Sequence, residues 1–396
     1  MGKPLEGVKI LDLGQIYNAP YCTLLLGYLG AEVIKLEPVN GGELLRKRSG
    51  NEGAQFPFLM LNNNKKCITL NLKHEKGKKL FFELVKQVDV VIENFSTGVM
   101  DRLGFSYEKL QSLNPSIIYA SGTGFGSTGP YKDLPAMDLT IQALSGIMSI
   151  TGFDDKPPVK TGPAMADFFG GIHLFGGVMT ALFKKAKTGM GDRVEVSMFD
   201  AVYPSLASSL GYYFGHKEQP PRTGNRHGGL AEAPYNVYPT LDGHIAIFCV
   251  NDKHWANLMN VMDLIELIDD PRYSTIPERV KRIDELDRMI SDWTSKFNKK
   301  DLFQLLNKNN VPSASVQDLD DIHKDEHYRA TKMINEIDHP VHGKIIVPGT
   351  PIKLQSHDDF EIQPAPQLGE HNWEIYHQMV GITANEFKSL MELQVI

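Results

Sequence analysis

Cysteine is scarce. Cys22, Cys67 and Cys249 are the only three in the chain, far apart and in no CxxC spacing, so neither a disulfide framework nor a metal site is expected. Long apolar runs are missing as well: no stretch reaches the ~18 consecutive apolar residues of a membrane span. Residues Met1 to Glu6 lead straight into a strand pattern, without the charged-then-apolar leader of an exported protein. These absences exclude a membrane partner and point to a cytoplasmic protein with reduced thiols. The net charge of -7 is modest and no basic run tracks a phosphate backbone, which excludes nucleic acid as a partner. Internal repeats and low-complexity segments are lacking too.

What is present is the composition of a globular protein, 42% hydrophobic and 22% charged over 396 residues. That length favours more than one domain. Val8 to Leu13 reads as a buried strand, Ala19 to Leu29 as a helix and Ala31 to Leu36 as a second strand, a βαβ unit. The alternation continues with strands at Cys67–Asn71, Val88–Ile92 and Ser116–Ala120, a helix at Glu75–Gln87, helical periodicity at Leu139–Ile150 and Phe168–Lys185, and a strand at Arg193–Ser197. The pattern predicts an α/β fold: a large Rossmann-like parallel-sheet domain over residues 1–200, and a linker at 201–225. A smaller α+β domain follows at 226–325, and residues 326–396 link back to the large one. Between Pro220 and Pro234 the composition shifts to Pro, Gly, Arg and His, a functional loop or a connection.

Four features carry chemistry. Gly124 to Gly129 spells GFGSTG, the spacing of a dinucleotide-binding turn, but Pro130, Tyr131 and Lys132 follow where a helix must open on the phosphate. It is read as a glycine-rich turn shaping another pocket, so no NAD is expected. Asp167 stands before the helical run from Phe168, which makes it either an N-cap or a nucleophile. A carboxylate with an ordinary pKa of ~3.9 needs no base to become nucleophilic, and Gly170 and Gly171 clear side chains where a large thioester would approach. The residues Arg226, His227, Gly228 and Gly229 form either a mobile loop over a site or an ordinary connection. Lys65, Lys66, Lys73, Lys76, Lys78 and Lys79 read mostly as a solvated face, with one or two able to meet a nucleotide phosphate; His173 reads as a packing or surface residue.

Several separated segments together resemble the class III CoA-transferases, the CaiB/BaiF family that includes formyl-CoA and carnitine CoA-transferases. They are Pro4–Leu13, Leu29–Pro38, Glu93-Asn94-Phe95 with Gly98 and Arg102-Leu103-Gly104, Gly129-Pro130-Tyr131, Ala166-Asp167, Gly189–Val194 and Gln367–His371. The resemblance implies a transferase that moves CoA from an acyl-CoA to a small carboxylic acid, with Asp167 forming aspartyl anhydride and aspartyl-CoA thioester intermediates. Coenzyme A, as the acyl-CoA co-substrate, would be met by Gln15, Ile16 and Tyr17 at its thiol arm. Leu70, Asn71, Leu72 and Lys73, with Asn94, Phe95 and Ser96, would hold its nucleotide end, and Arg102 a phosphate. Amides at Gly228 and Gly229 would, by the resemblance, shield the intermediates; Tyr17, Gln142, Arg226 and His227 are read as candidates for lining the acid pocket, and their polarity favours a short dicarboxylic or hydroxy acid, with a carnitine-like zwitterion as the next choice. A ring-shaped subunit in an interlocked homodimer is implied as well.

The sequence departs from the family at Pro38, Asn63, Lys66 and Cys67, where Arg or Ser is frequent in the nucleotide region, and at Pro135, where formyl-CoA transferase has a lysine. Two other readings remain open: an α-methylacyl-CoA racemase-like isomerase and a non-catalytic acyl-CoA-binding protein. Met137, before Asp138, stands where a racemase would have its histidine, and a thioether exchanges no proton.

Overall fold

Strands that are apolar on consecutive positions need cover on both faces, and the chain supplies it. The computed structural model describes residues 2–47, 56–355 and 361–396. Six strands, β1 (Lys9–Asp12), β2 (Glu32–Glu37), β3 (Lys65–Thr69), β4 (Val90–Glu93), β5 (Ile118–Thr123) and β6 (Arg193–Ser197), form one sheet. Its order is β3-β2-β1-β4-β5-β6 and every pair is parallel. Successive side chains go to opposite sides. Leu11, Ile34, Val91 and Tyr119 join one core with Phe81 and Leu84 of the helix Glu75–Val85 and with the C-terminal Ile375 and Tyr376. Ile10, Val33, Val90 and Ile118 join the other, with Ala19, Cys22 and Leu26 of the helix Asn18–Tyr28 and Leu174, Val178 and Ala181 of the helix Met165–Thr188.

Within this chain two compact units separate. The first comprises Met1–Gln142, Pro163–Val202 and Glu326–Ile396; the second comprises Ala143–Gly162 and Tyr203–Asp325. The segment 143–162, read from sequence as part of the large domain, thus groups with the second unit, where Phe153 bridges to Thr223. That unit holds the antiparallel sheet β7 (Tyr235–Thr240), β8 (Gly243–Phe248), β9 (Ser313–Ser315). Its core gathers Tyr238, Ile245, Ile247, Trp255, Leu286 and Leu302. The hairpin β10 (Ile334–His339) and β11 (Gly343–Pro348) belongs to the first unit.

Two findings depart from the sequence reading. The helix Met165–Thr188, of 24 residues and mean hydropathy 1.3, is long and apolar enough to cross a membrane by length and composition. Asp167, His173 and its glycines break the consecutive apolar run, which is why counting uninterrupted residues passed over it. One face is packed into the sheet's core through Leu174, Val178 and Ala181, as in the core helix of a folded domain. The second departure is Lys65, which is not on a solvated face. It is buried in β3, where its Nζ donates to Asp12 Oδ2 at 3.0 Å, Thr23 Oγ1 at 2.7 Å and Asn62 Oδ1 at 2.9 Å. Lys66 is also engaged, by Glu32 at 2.7 Å and Glu374 at 2.8 Å.

Candidate active site

In an open parallel sheet a crevice forms where neighbouring connections leave in opposite directions, beyond the carboxyl ends of the strands. Here that point lies between β1 and β4. The loop after β1 is held at every residue. Gly14 N donates to Asp12 Oδ1 at 2.7 Å, and Gly14 O accepts from the buried Lys35 Nζ at 2.7 Å. Asn94, just past β4, clasps Gln15 from both sides, accepting from its N at 2.7 Å and donating to its O at 2.8 Å. Ile16 N donates to Glu43 Oε2 at 3.2 Å. These ties keep Ile16 at φ 62, a left-handed conformation that costs a β-branched residue energy and persists only where the surroundings over-determine it.

Two cavities open on this point. One, of about 430 Å³, is lined by Leu36, Pro38, Leu70, Asn71, Leu72 and Lys73 among others. The second, of about 240 Å³, contains Asp167 with Ile16, Asn94, Ser96, Lys132 and Met137 among its walls. Gln15 and Phe95 line both. The structure therefore brings together Gln15, Ile16, Leu70 to Lys73, Asn94, Phe95, Ser96 and Asp167.

Asp167 is not the cap of its helix. It is the third residue of Met165–Thr188, and the free amides are taken by Asp138, whose Oδ1 accepts from Ala166 N at 2.8 Å and Asp167 N at 3.4 Å. The Asp167 carboxylate is thereby left for chemistry. Burial, and then the like charge of Asp138, push its pKa up to about 7, outweighing the helix N-terminus, which favours an anion.

Other expectations are also redirected. Gln142 lines neither cavity; it is buried and donates through Nε2 to Asp138 Oδ2 at 2.6 Å, fixing the residue that caps the Asp167 helix. Tyr17 stacks on Phe168 with centroids 6.0 Å apart, packs with apolar neighbours and lines neither of these two cavities. Arg102 is exposed, one residue before the cavity-lining Leu103. In the second unit Arg226 is held by Asp284 at 2.6 Å and Asp287 at 2.7 Å, so its guanidinium serves that unit's own structure. His227 Nδ1 accepts from Gly229 N at 3.2 Å, closing a tight turn through Gly228. Asn63 and Cys67 are buried and line neither of these two cavities, whereas Pro38 lines the larger one.

Gly170 and Gly171 do not clear a path for the ligand. A Cβ on Gly170 would lie 2.2 Å from Asn18 Nδ2, and one on Gly171 2.6 Å from Asn18 O. Both glycines let the helix Asn18–Tyr28 close on the Asp167 helix, where the buried Asn18 donates to Asp167 O at 3.3 Å. Sequence reasoning missed Asn18 and Asp138; the visible signal for Asp138 was a lone acid at the start of a predicted helix. Gly170→Ala is expected to lower stability by about 1–3 kcal/mol through this overpacking, read by chemical denaturation. Asp138→Asn keeps an acceptor for the Ala166 amide but removes the like charge, so the acid limb of kcat/KM against pH is expected to move to lower pH.

A parallel sheet ordered in this way, with a buried carboxylate in the cavity at its switch point, defines an α/β protein with a candidate active site there. Residues 5–372 match the model of CoA-transferase family III. The chain is 35% identical to the formyl-CoA:oxalate CoA-transferase of Streptomyces avermitilis over 100% of both chains. It is 37% identical to the acetyl-CoA:oxalate CoA-transferase of Acetobacter aceti over 93% of each. A crystal structure of a CaiB/BaiF family protein from Brucella suis superposes with a TM-score of 0.83 at 33% identity, covering 96% of this chain and 100% of that one. The chain belongs to CoA-transferase family III and is a class III CoA-transferase.

Proposed function

We propose that this enzyme transfers CoA from a short acyl-CoA to a small dicarboxylic acid, with Asp167 as nucleophile. The observation that carries the reading is the pair of cavities meeting at Gln15 and Phe95, one ending on Asp167. An extended thioester fits that layout, with its nucleotide against Leu70 to Lys73 and its sulfur at Asp167. The relatives act on formyl-CoA or acetyl-CoA and on oxalate. Lys132, on the wall of the Asp167 cavity, suits a second carboxylate on the acceptor.

In the proposed sequence an Asp167 oxygen attacks the donor's acyl carbon, and the C–S bond breaks to release thiolate and leave a mixed anhydride. Thiolate then attacks the Asp167 side-chain carbonyl, the donor's acid departs as carboxylate, and an aspartyl-CoA thioester remains. The acceptor carboxylate displaces thiolate to form a second anhydride, and thiolate takes the new acyl group, restoring Asp167. No net proton is consumed and one thioester replaces another, so no external energy source is required. Met137, half exposed on the cavity wall, offers no proton, which disfavours a racemase. We further propose a cytoplasmic, interlocked homodimer; Ile172 and Phe183, 46% and 63% exposed on the Asp167 helix, are apolar surface that such a partner would cover.

Intact-mass analysis after mixing with a panel of acyl-CoA donors tests the reading. A hydroxylamine-labile CoA adduct mapping to Asp167 is expected. CoA binding without any adduct across the panel would overturn the assignment of Asp167 as nucleophile.

A further inference from the structure

Glu93 is the last residue of β4 and is buried on the sheet face where Leu13, Met100, Phe105 and Tyr119 pack. Its Oε2 accepts the Phe95 amide at 2.7 Å, and its Oε1 accepts the Tyr119 hydroxyl at 3.1 Å. The Ser121 side chain, also from β5, hydrogen-bonds to it as well. The charged neighbour is Asp101 of the helix Val99–Leu103, of like sign; Tyr119 and Ser121 are neutral, and the Asp12–Lys65 pair belongs to the opposite face of the sheet. A buried carboxylate with donors but no counter-charge is held in place by whatever turn it supports, and that turn is Asn94–Ser96. Asn94 clasps Gln15, and Gln15 and Phe95 are the two residues that line both cavities.

We propose that Glu93 is a positioning residue for the CoA thioester: its ionised carboxylate fixes the Phe95 turn and so keeps the junction between the two cavities open for the thiol arm. The proposal rests on the CoA-transferase reading of this site. Ionised, Glu93 accepts from three donors; protonated, one oxygen becomes a donor and the set facing it no longer matches. Burial pushes its pKa up to about 7, so the device changes state near neutrality. Because CoA then binds the ionised form better, affinity is expected to fall as pH drops through that value.

The test measures CoA binding by calorimetry in an Asp167→Asn background, which removes the other group titrating there. Between about pH 8 and about pH 6 this background is expected to lose roughly fivefold in affinity beyond the change seen when Glu93→Gln is added, since the amide does not titrate. Adding Glu93→Ala instead is expected to weaken CoA roughly tenfold at every pH, through the freed Phe95 amide. Identical pH dependence with Glu93 and with Glu93→Gln overturns the proposal, even if the alanine variant fails to fold. Absence of CoA binding in the parent background would overturn the assignment of these two cavities to CoA, a distinguishable result.

Discussion

Asp167→Asn is expected to lower kcat by about 10⁴-fold or more and to abolish the covalent CoA adduct, because the amide oxygen is a poor nucleophile and no neighbouring side chain forms the anhydride in its place. In the parent enzyme kcat/KM should rise about tenfold per pH unit up to about 7 and then level, as the raised carboxyl of free enzyme ionises. Stability runs the other way. Asp167 binds its proton more tightly folded than unfolded, so its contribution is complete below the ordinary carboxylate range and is lost as pH rises through about 7. The asparagine variant does not titrate, and its unfolding temperature should overtake that of the parent on the alkaline side. A shared pH profile of melting for both proteins would contradict the burial argument.

Lys65→Met is expected to cost about 3 kcal/mol of stability, because it leaves the buried Asp12 with one ammonium, that of Lys35, in place of two. Burial acts against both partners of the Asp12–Lys65 pair. Asp12 is nonetheless held below its usual range by Lys65 and Lys35, whereas desolvation brings Lys65 below its own. Asp12 Oδ1 carries the Gly14 amide, so the substitution should also loosen the loop that holds Ile16 and raise KM for acyl-CoA. The double variant Asp12→Asn, Lys65→Met leaves the buried Lys35 ammonium without a carboxylate and should be less stable than the single variant, with KM still raised. Equal losses in single and double variants, followed by urea denaturation, would show the charge balance to be unimportant.

The parallel sheet was legible because strands covered on both faces are short apolar runs set between helical stretches; β6 falls on the residues read from sequence. Asp167 was legible mainly through the Ala166-Asp167 resemblance, since a lone acid at a helix start equally suits a cap. The capping role falls instead to Asp138, 29 positions earlier in the chain, and no local pattern reports a capping side chain from another helix. Lys65 misled for a related reason: among neighbouring lysines in sequence, only strand alternation and the hidden Asp12 distinguish the buried one. Gln142 and Arg226, candidates for the acid pocket, are both engaged by carboxylates within their own surroundings, which sequence position does not report. The residues read from strand-end loops, Gln15, Ile16 and Asn94 to Ser96, line a cavity because loop position at a strand's carboxyl end is itself a geometric statement.

The helix that carries Asp167 also has a meaning during synthesis. As it leaves the ribosome it is a segment that membrane-insertion machinery could accept by length and composition. The partners of its buried face in β1, β4, β5 and the helix Asn18–Tyr28 all precede it in the chain, and β6 follows within a few residues. The order of translation thus presents a docking surface before the apolar segment is complete, so the helix is retained in the folding domain by partners already made. A circular permutant beginning at Met165 would reverse that order with the native contacts unchanged.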